Sequence, residues 1–286
     1  MADQATPPGR DPSLFDAYAP AQMARRVEVA GVAKAGLPLL PLLTLALLAG
    51  AFIAFGAMLF TLTMTNHEMG LGPSRILGGV TFSLGLVLVV VGGAELFTGN
   101  LLLVMGWADR KIATMALLRN WGVAYVGNLA GAVAMALLAY WSGYMDLGSG
   151  AVGATAIKIA AAKVDLDFTT AFVRGLLCNT LVCLAVWLCF AAHNVIGKIF
   201  AILFPITAFV ALGFEHSIAN MFFIPVGMLA AGNDVYVAAA GLPGGVDGLT
   251  FTGFMGNLVP VTLGNMVGGG LFVAGTYYLV YLRPHS

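Results

Sequence analysis

The chain has 286 residues, 60% of them hydrophobic and only 9% charged, with a mean hydropathy of +0.93. Soluble domains carry about 25% charged residues, so this composition excludes an ordinary cytosolic enzyme and a disordered chain. Thirteen basic residues balance thirteen acidic ones, which leaves no basic field for a nucleic-acid backbone.

What remains is an all-α integral membrane protein, and the predicted elements follow in chain order. Residues 1–36 are polar and read as a cytoplasmic N-terminal tail. They hold no continuous apolar core, so no cleavable signal peptide is expected. Their second half, 21–34, predicts an amphipathic helix lying on the membrane surface. Residues 37–283 read as a single transmembrane channel domain. Its first apolar run, 37–65, ends at the polar turn Asn66, His67, Glu68. The third, fourth and last elements fall at 113–141, 168–192 and 254–282.

The second and fifth elements, 76–107 and 199–231, are too long for one span of about 17–25 residues and too short for two. Each carries one acidic residue near its middle, Glu95 and Glu215, flanked by glycine. Each is predicted to be one helix broken at mid-membrane, which gives six segments in all. Both termini then share a side with Arg10, Arg25, Arg26, Lys34, Arg110, Lys111, Lys198 and Arg283. Only Arg75, Lys158 and Lys163 fall in the opposite loops. The positive-inside rule places the termini in the cytoplasm of a cell whose inner membrane holds the chain. Cys178, Cys183 and Cys189 share one apolar stretch in neither a redox nor a zinc spacing, and read as core residues.

The two breaks resemble each other. Residues 93–100 read GAELFTGN and residues 213–220 read GFEHSIAN, a shared G-x-E-x-x-x-small-N. Asn120 and Asn128 recur as Asn257 and Asn265, again eight apart, and Gly127-Asn128-x-x-Gly131 returns as Gly264-Asn265-x-x-Gly268. Two ordered matches argue for duplication. Three spans per copy is an odd number, so the repeat is a 3+3 repeat of inverted topology. Broken helices paired in this way build a permeation path near the midplane. Irregular backbone is tolerated there only where protein or a water-filled cavity satisfies it. A carboxylate beside a half-helix N-terminus would cap orphan N–H groups, so Glu95 and Glu215 read as structural caps rather than proton relays.

The stretches GFEHSIANMF (213–222), AELFT (94–98), CNTLVCLAVW (178–187) and PVTLGN (260–265) closely resemble the formate/nitrite transporter family over about residues 22–283. The resemblance implies an aquaporin-like protomer, a homopentamer with one pore per subunit, and passage of small monovalent anions such as formate or nitrite. It implies that His216 is the pore histidine, that Thr98 faces it from the other break, and that Asn179 neighbours it. It also implies that Phe82, Leu86, Phe209 and Val182 narrow the pore, and that Lys163 lies in the outer vestibule. Gly99 and Asn100 follow Thr98 as in nitrite-type members, so formate and nitrite both stay open. His216 is expected to donate a proton or a strong hydrogen bond to the anion, because a bare ion is costly in apolar constrictions. Beside helix Arg174, which is expected to snorkel to the interface, no cofactor, metal or nucleotide motif is present to suggest redox or hydrolytic work. Anion and proton gradients would supply the energy. A glycerol- or water-type facilitator shares the architecture but needs no central histidine. A Ser–His hydrolase built on Ser217 and His216 lacks a third, orienting group.

Overall fold

The computed structural model describes residues 17–66 and 68–283. Arg10, most of the tail and His67 lie outside the described residues. Helix α1 (Pro20–Ala35) precedes α2 (Leu39–Thr63), and α3 (Leu71–Phe82) runs into α4 (Leu84–Gly92). After the first break, a 3-10 turn (Gly99–Leu103) leads into the short α5 (Val104–Ala108), and α6 (Thr114–Trp141) closes the first half. The second half comprises α7 (Ala151–Val164), α8 (Phe168–Cys189), α9 (Val195–Ala211), α10 (Ser217–Ala230), α11 (Asp234–Ala240) and α12 (Phe251–Met266). A nine-residue π-helical stretch, Val267–Gly275, then joins α13 (Thr276–Tyr281).

Five segments of the described chain are long and apolar enough to cross a bilayer alone: Leu39–Thr63, Leu71–Gly92, Thr114–Trp141, Phe168–Cys189 and Phe251–Tyr281. The remaining one is α9, of 17 residues, continued beyond the break by α10, of 14. At roughly 1.5 Å per residue neither reaches across a 30 Å hydrocarbon core by itself, but the two together do. The first broken element starts earlier than its apolar run implies, at Leu71 rather than residue 76, because Arg75 is accommodated inside α3.

Helix α7 was not expected: residues 151–164 read as loop, and they form a 14-residue helix packed against α10 and α11. It is the inverted counterpart of α1. Lys34 stands five positions before α2 and Lys163 five before α8, so each repeat opens with a short helix that carries a lysine in its last turn. Nor does α1 present all of its apolar face to a bilayer. Met23, Ala24, Val27 and Gly31 are buried against the 3-10 turn and α5.

The helix pairs that open and close each repeat pack at glycines. A Cβ added to Gly131 would lie 2.1 Å from the Leu47 carbonyl, and one added to Gly268 would lie 2.1 Å from the Leu176 carbonyl. Backbone cannot yield there, and small residues are what let membrane helices approach so closely. Gly131→Val and Gly268→Val are therefore expected to remove folded protein from the membrane fraction. Wild-type yields and a wild-type elution volume in detergent would refute this.

The docking of α1 carries a titratable latch. Glu28 is buried, accepts from Lys111 Nζ at 2.7 Å, and leaves its other oxygen without a partner. Lys111 also reaches Asp109 at 2.9 Å. Burial pushes the Glu28 carboxyl above its ordinary value, against the opposing pull of Lys111. Lys111 holds Asp109 below its own usual range. A raised carboxyl favours the docked state when protonated, so its contribution is lost as pH rises through that raised value. The Asp109 contribution disappears only as pH falls through a value below the usual Asp range, and the Lys111 contribution is complete well below pH 10. On acidification from neutral pH Glu28 is thus the first of the three to respond. Amide exchange in α1, corrected for the intrinsic rate, is expected to slow as pH falls through the raised value, and Glu28→Gln to remove the difference. Exchange independent of pH in the wild type would rule the latch out.

Candidate functional site

Each break begins at a glycine in the left-handed region, Gly93 with φ +77° and Gly213 with φ +73°, where a side chain would be strained. Six residues later in one copy and four in the other, helix resumes. Two of the backbone groups exposed in each break are satisfied by one asparagine per repeat. Asn128 Oδ1 accepts from Phe97 N at 2.9 Å, and its Nδ2 donates to the carbonyls of Ala46 (2.8 Å) and Glu95 (2.9 Å). Asn265 Oδ1 accepts from Ser217 N at 2.9 Å, and its Nδ2 donates to the carbonyls of Gly175 (2.7 Å) and Glu215 (3.0 Å). These are the asparagines by which the two repeats align. They are the staples of the irregular backbone.

The carboxylates were expected to cap that backbone, and they do not. Glu95 accepts from Lys34 Nζ at 2.7 Å and from Asn100 Nδ2 at 2.7 Å, Asn100 Nδ2 also reaches Asn120 Oδ1 at 2.9 Å, and Asn120 Nδ2 returns to the Lys34 carbonyl at 3.1 Å. Glu215 repeats the circuit: Lys163 Nζ at 2.9 and 3.0 Å, Asn220 Nδ2 at 2.6 Å and on to Asn257 Oδ1 at 2.7 Å, then Asn257 Nδ2 to the Lys163 carbonyl at 2.8 Å. Each buried carboxylate is thus neutralised by a lysine and held by amides, as a buried charge must be. The role is structural, but it is that of a charge-paired buttress rather than a helix cap.

The cap of α10 is His216 itself. Its Nδ1 accepts from Ala219 N at 3.1 Å, and its Nε2 lies 2.9 Å from Thr98 Oγ1. A backbone N–H can only donate, so Nδ1 must present its lone pair and the neutral ring carries its one proton on Nε2. That proton points at Thr98, whose own hydroxyl proton is left to turn elsewhere. Thr98 and His216 are both buried. At the repeat's own offset their counterparts would be Ile218 and Leu96. The duplicated frame therefore holds an unduplicated polar pair.

Thr98 is fixed from behind. Asn179 Nδ2 donates to its carbonyl at 3.3 Å and to the Asn265 carbonyl at 2.9 Å, and Cys183 Sγ approaches the Thr98 carbonyl at 3.3 Å. Asn179 thus holds the threonine rather than bonding to the histidine ring, and its Oδ1 has no partner. The π-helical stretch brings Gly269 against both: an added Cβ would lie 2.4 Å from Asn179 Nδ2 and 2.7 Å from Cys183 Sγ. Cys183 is a contact that sequence reasoning passed over as core.

Two cavities approach this pair from opposite sides and share no lining residue. The one on the α1 side, about 310 Å³, is walled by Leu86, Val89, Val186 and Gly99, with Lys34, Arg26 and Lys198 at its polar margin. The one on the α7 side, about 210 Å³, reaches His216 past Phe82, Phe209 and Phe223 and carries Lys163, Arg75 and Arg174. Phe82 and Phe209 meet edge to face at 5.7 Å, and Phe209 lies over the His216 ring at 6.0 Å. Val182 is buried but lines neither cavity. Arg174, expected to snorkel outward, is exposed and lines the α7-side cavity. Neither imidazole nitrogen is directed to Ser217, whose hydroxyl has no partner, so no nucleophile–base pair is formed there.

A sequence model of the formate/nitrite transporter family matches residues 21–279. The chain is 41% identical over 277 residues to the formate channel FocA of Escherichia coli K12, covering 95% of this chain and 97% of that one. It is 42% identical over 281 residues to a probable formate transporter of Methanothermobacter thermautotrophicus, covering 92% and 97%. A solved pentameric formate channel with formate bound superposes with a TM-score of 0.80 at 39% identity, covering 86% of this chain and 98% of its own.

Proposed function

The chain belongs to the formate/nitrite transporter family, and from that premise we propose that it is a membrane channel for small monovalent anions, formate first and nitrite second. The observation that carries this reading is the Thr98–His216 pair standing alone between two cavities that end in apolar residues. Dehydrating an anion between Leu86 and the Phe82–Phe209 contact is costly unless a donor replaces the lost water. His216 Nε2–H and the free proton of the Thr98 hydroxyl are two such donors in one place. While Nδ1 accepts from Ala219 N, the ring offers a hydrogen bond and not a transferable second proton. Full protonation of the anion through an imidazolium therefore requires the α10 cap to open.

Asn179 acts by holding the Thr98 carbonyl. Phe82, Leu86 and Phe209 form the apolar layers while Val182 lies buried outside both cavities, and the Lys34–Glu95 and Lys163–Glu215 pairs brace the breaks. In this reading Lys163 borders the outer vestibule with its charge already matched. We place both termini in the cytoplasm, because α1, Arg110, Lys111 and Lys198 outnumber the cations of the α7 side. Residues 1–36 then form a cytoplasmic tail whose helix docks at the inner mouth, residues 37–283 form the channel, and five copies assemble with one pore in each.

The test is flux in proteoliposomes holding the full chain, with formate, nitrite, chloride and glycerol compared at pH 7 and pH 5. Formate or nitrite is expected to move and glycerol to be excluded, with the faster anion naming the substrate. Glycerol passage without anion passage would leave the fold and remove the function.

A further inference from the structure

The three cations of the outer, α7-side cavity are not equivalent. Lys163 Nζ sits between both oxygens of Glu215, at 2.9 and 3.0 Å, so the pair presents little net charge to an arriving ion. Glu215 is the one carboxylate lining that cavity, and the ion pairs of the described residues take their cations from Lys34, Lys111 and Lys163. Arg75 and Arg174 therefore enter the cavity wall with their charges unmatched.

Arg75 is also fixed. Its Nε donates to the Ala211 carbonyl, at the C-terminus of α9, at 2.7 Å, and it is half-buried. A Cβ on Gly213 would lie 2.7 Å from one of its terminal nitrogens, so the guanidinium lies directly over the break. One of its five N–H groups is used, and the edge formed by the two terminal nitrogens is left over. Arg174 is tied to the same break through its carbonyl, which accepts from Glu215 N at 3.3 Å. The inner mouth is built differently. There Arg26 lies 3.9 Å over the Tyr18 ring, on a helix that docks, and its companion Lys198 is an ammonium.

We propose that Arg75 and Arg174 form a capture site for a planar monocarboxylate at the outer mouth of the pore, ahead of the Phe82–Phe209–Phe223 layer. A guanidinium edge matches the two oxygens of a carboxylate in a way that neither an ammonium nor a spherical anion can use. The site favours carboxylate over halide before dehydration begins, and does so on the outer side, since the inner cavity holds a single guanidinium, stacked on Tyr18, beside its ammonium groups. It rests on the functional reading above, and it differs from that reading in predicting a sidedness.

The experiment compares right-side-out with inside-out vesicles carrying the full-length channel, with formate or chloride added outside, for wild type, Arg75→Gln, Arg174→Gln and Arg174→Lys. Each glutamine is expected to raise the half-saturating formate concentration about fivefold in right-side-out vesicles. The maximal rate should fall less than twofold, and half-saturation in inside-out vesicles should not move. Arg174→Lys is expected to recover the salt dependence but not the preference for formate over chloride. Because Arg75 also holds the end of α9, Arg174→Gln decides the matter if Arg75→Gln folds poorly. Equal shifts in both orientations, or wild-type half-saturation in Arg174→Gln, would overturn the capture site while leaving the channel. A wild type that carries no formate in either orientation would overturn the function and this site with it.

Discussion

His216→Phe is expected to cut formate flux about 30- to 100-fold while the folded protein persists, and to flatten whatever pH dependence the wild type shows. The ring is nearly isosteric, so Phe209 and the α7-side cavity keep their walls. What is lost is a donor to a charged group in a buried layer, worth about 2–3 kcal/mol, and each 1.4 kcal/mol is a factor of ten in rate. The cap of α10 is lost as well, at about 1 kcal/mol. His216→Asn separates the two effects. Its Oδ1 can take the Ala219 N–H that His216 Nδ1 takes now, and its Nδ2 is left to face the path. That variant should recover the stability of α10 and part of the flux, yet show no titration of its own. If His216→Asn kept the wild-type pH profile, the histidine would not be the group that sets it. Thr98→Val should cost less than His216→Phe, because Nε2–H then loses its resting partner but stays available to the anion.

Much of this was legible in the chain. The hydropathy runs mark six segments, the two G-x-E breaks stand out because an acid inside an apolar run is rare, and the Asn pairs eight apart align the repeats. What stayed hidden depends on partners distant in sequence. Lys34 and Glu95 are 61 positions apart and Lys163 and Glu215 are 52 apart, and the lysines lie outside the apolar runs where the duplication is visible. Without them, a carboxylate next to a helix break has no visible counter-charge, and a helix cap is the natural expectation. Helix α7 escaped for a related reason. Six of its fourteen residues are alanine, which favours helix, but the segment is shorter than a span and its packing face, against α10 and α11, is far away in sequence. Arg174 looked like an interfacial residue of α8 because the sequence cannot tell that the adjoining surface is a cavity rather than lipid. Cys183 gave no signal at all: a thiol in an apolar helix looks the same whether or not it meets a carbonyl.

The matched Lys–Glu–Asn circuits bear on the one question that symmetry can decide, whether the intramembrane carboxylates carry protons or carry load. A relay needs a chain leading to the reacting group, and neither circuit has one. Each closes on its own lysine carbonyl, and the same circuit exists on the side without a histidine. Glu215→Gln is therefore expected to act on stability. It leaves Lys163, whose side chain is 15% exposed, without its counter-charge and sets an amide against the Asn220 amide nitrogen. Breaking a buried pair in this way costs about 3–5 kcal/mol. Glu95→Gln should cost less, because Lys34 is 34% exposed and water screens what remains. Thermal unfolding of the detergent-solubilised channel should show the larger fall for Glu215→Gln, with flux per folded channel within about twofold of wild type and an unchanged pH profile. Removing both charges together, Lys163→Met with Glu215→Leu, should recover part of the lost stability, since the cost lies in the unpaired ion. The opposite pattern, an unchanged unfolding temperature with flux that falls and loses its pH dependence, would make Glu215 a proton carrier and the repetition of its circuit an accident of descent.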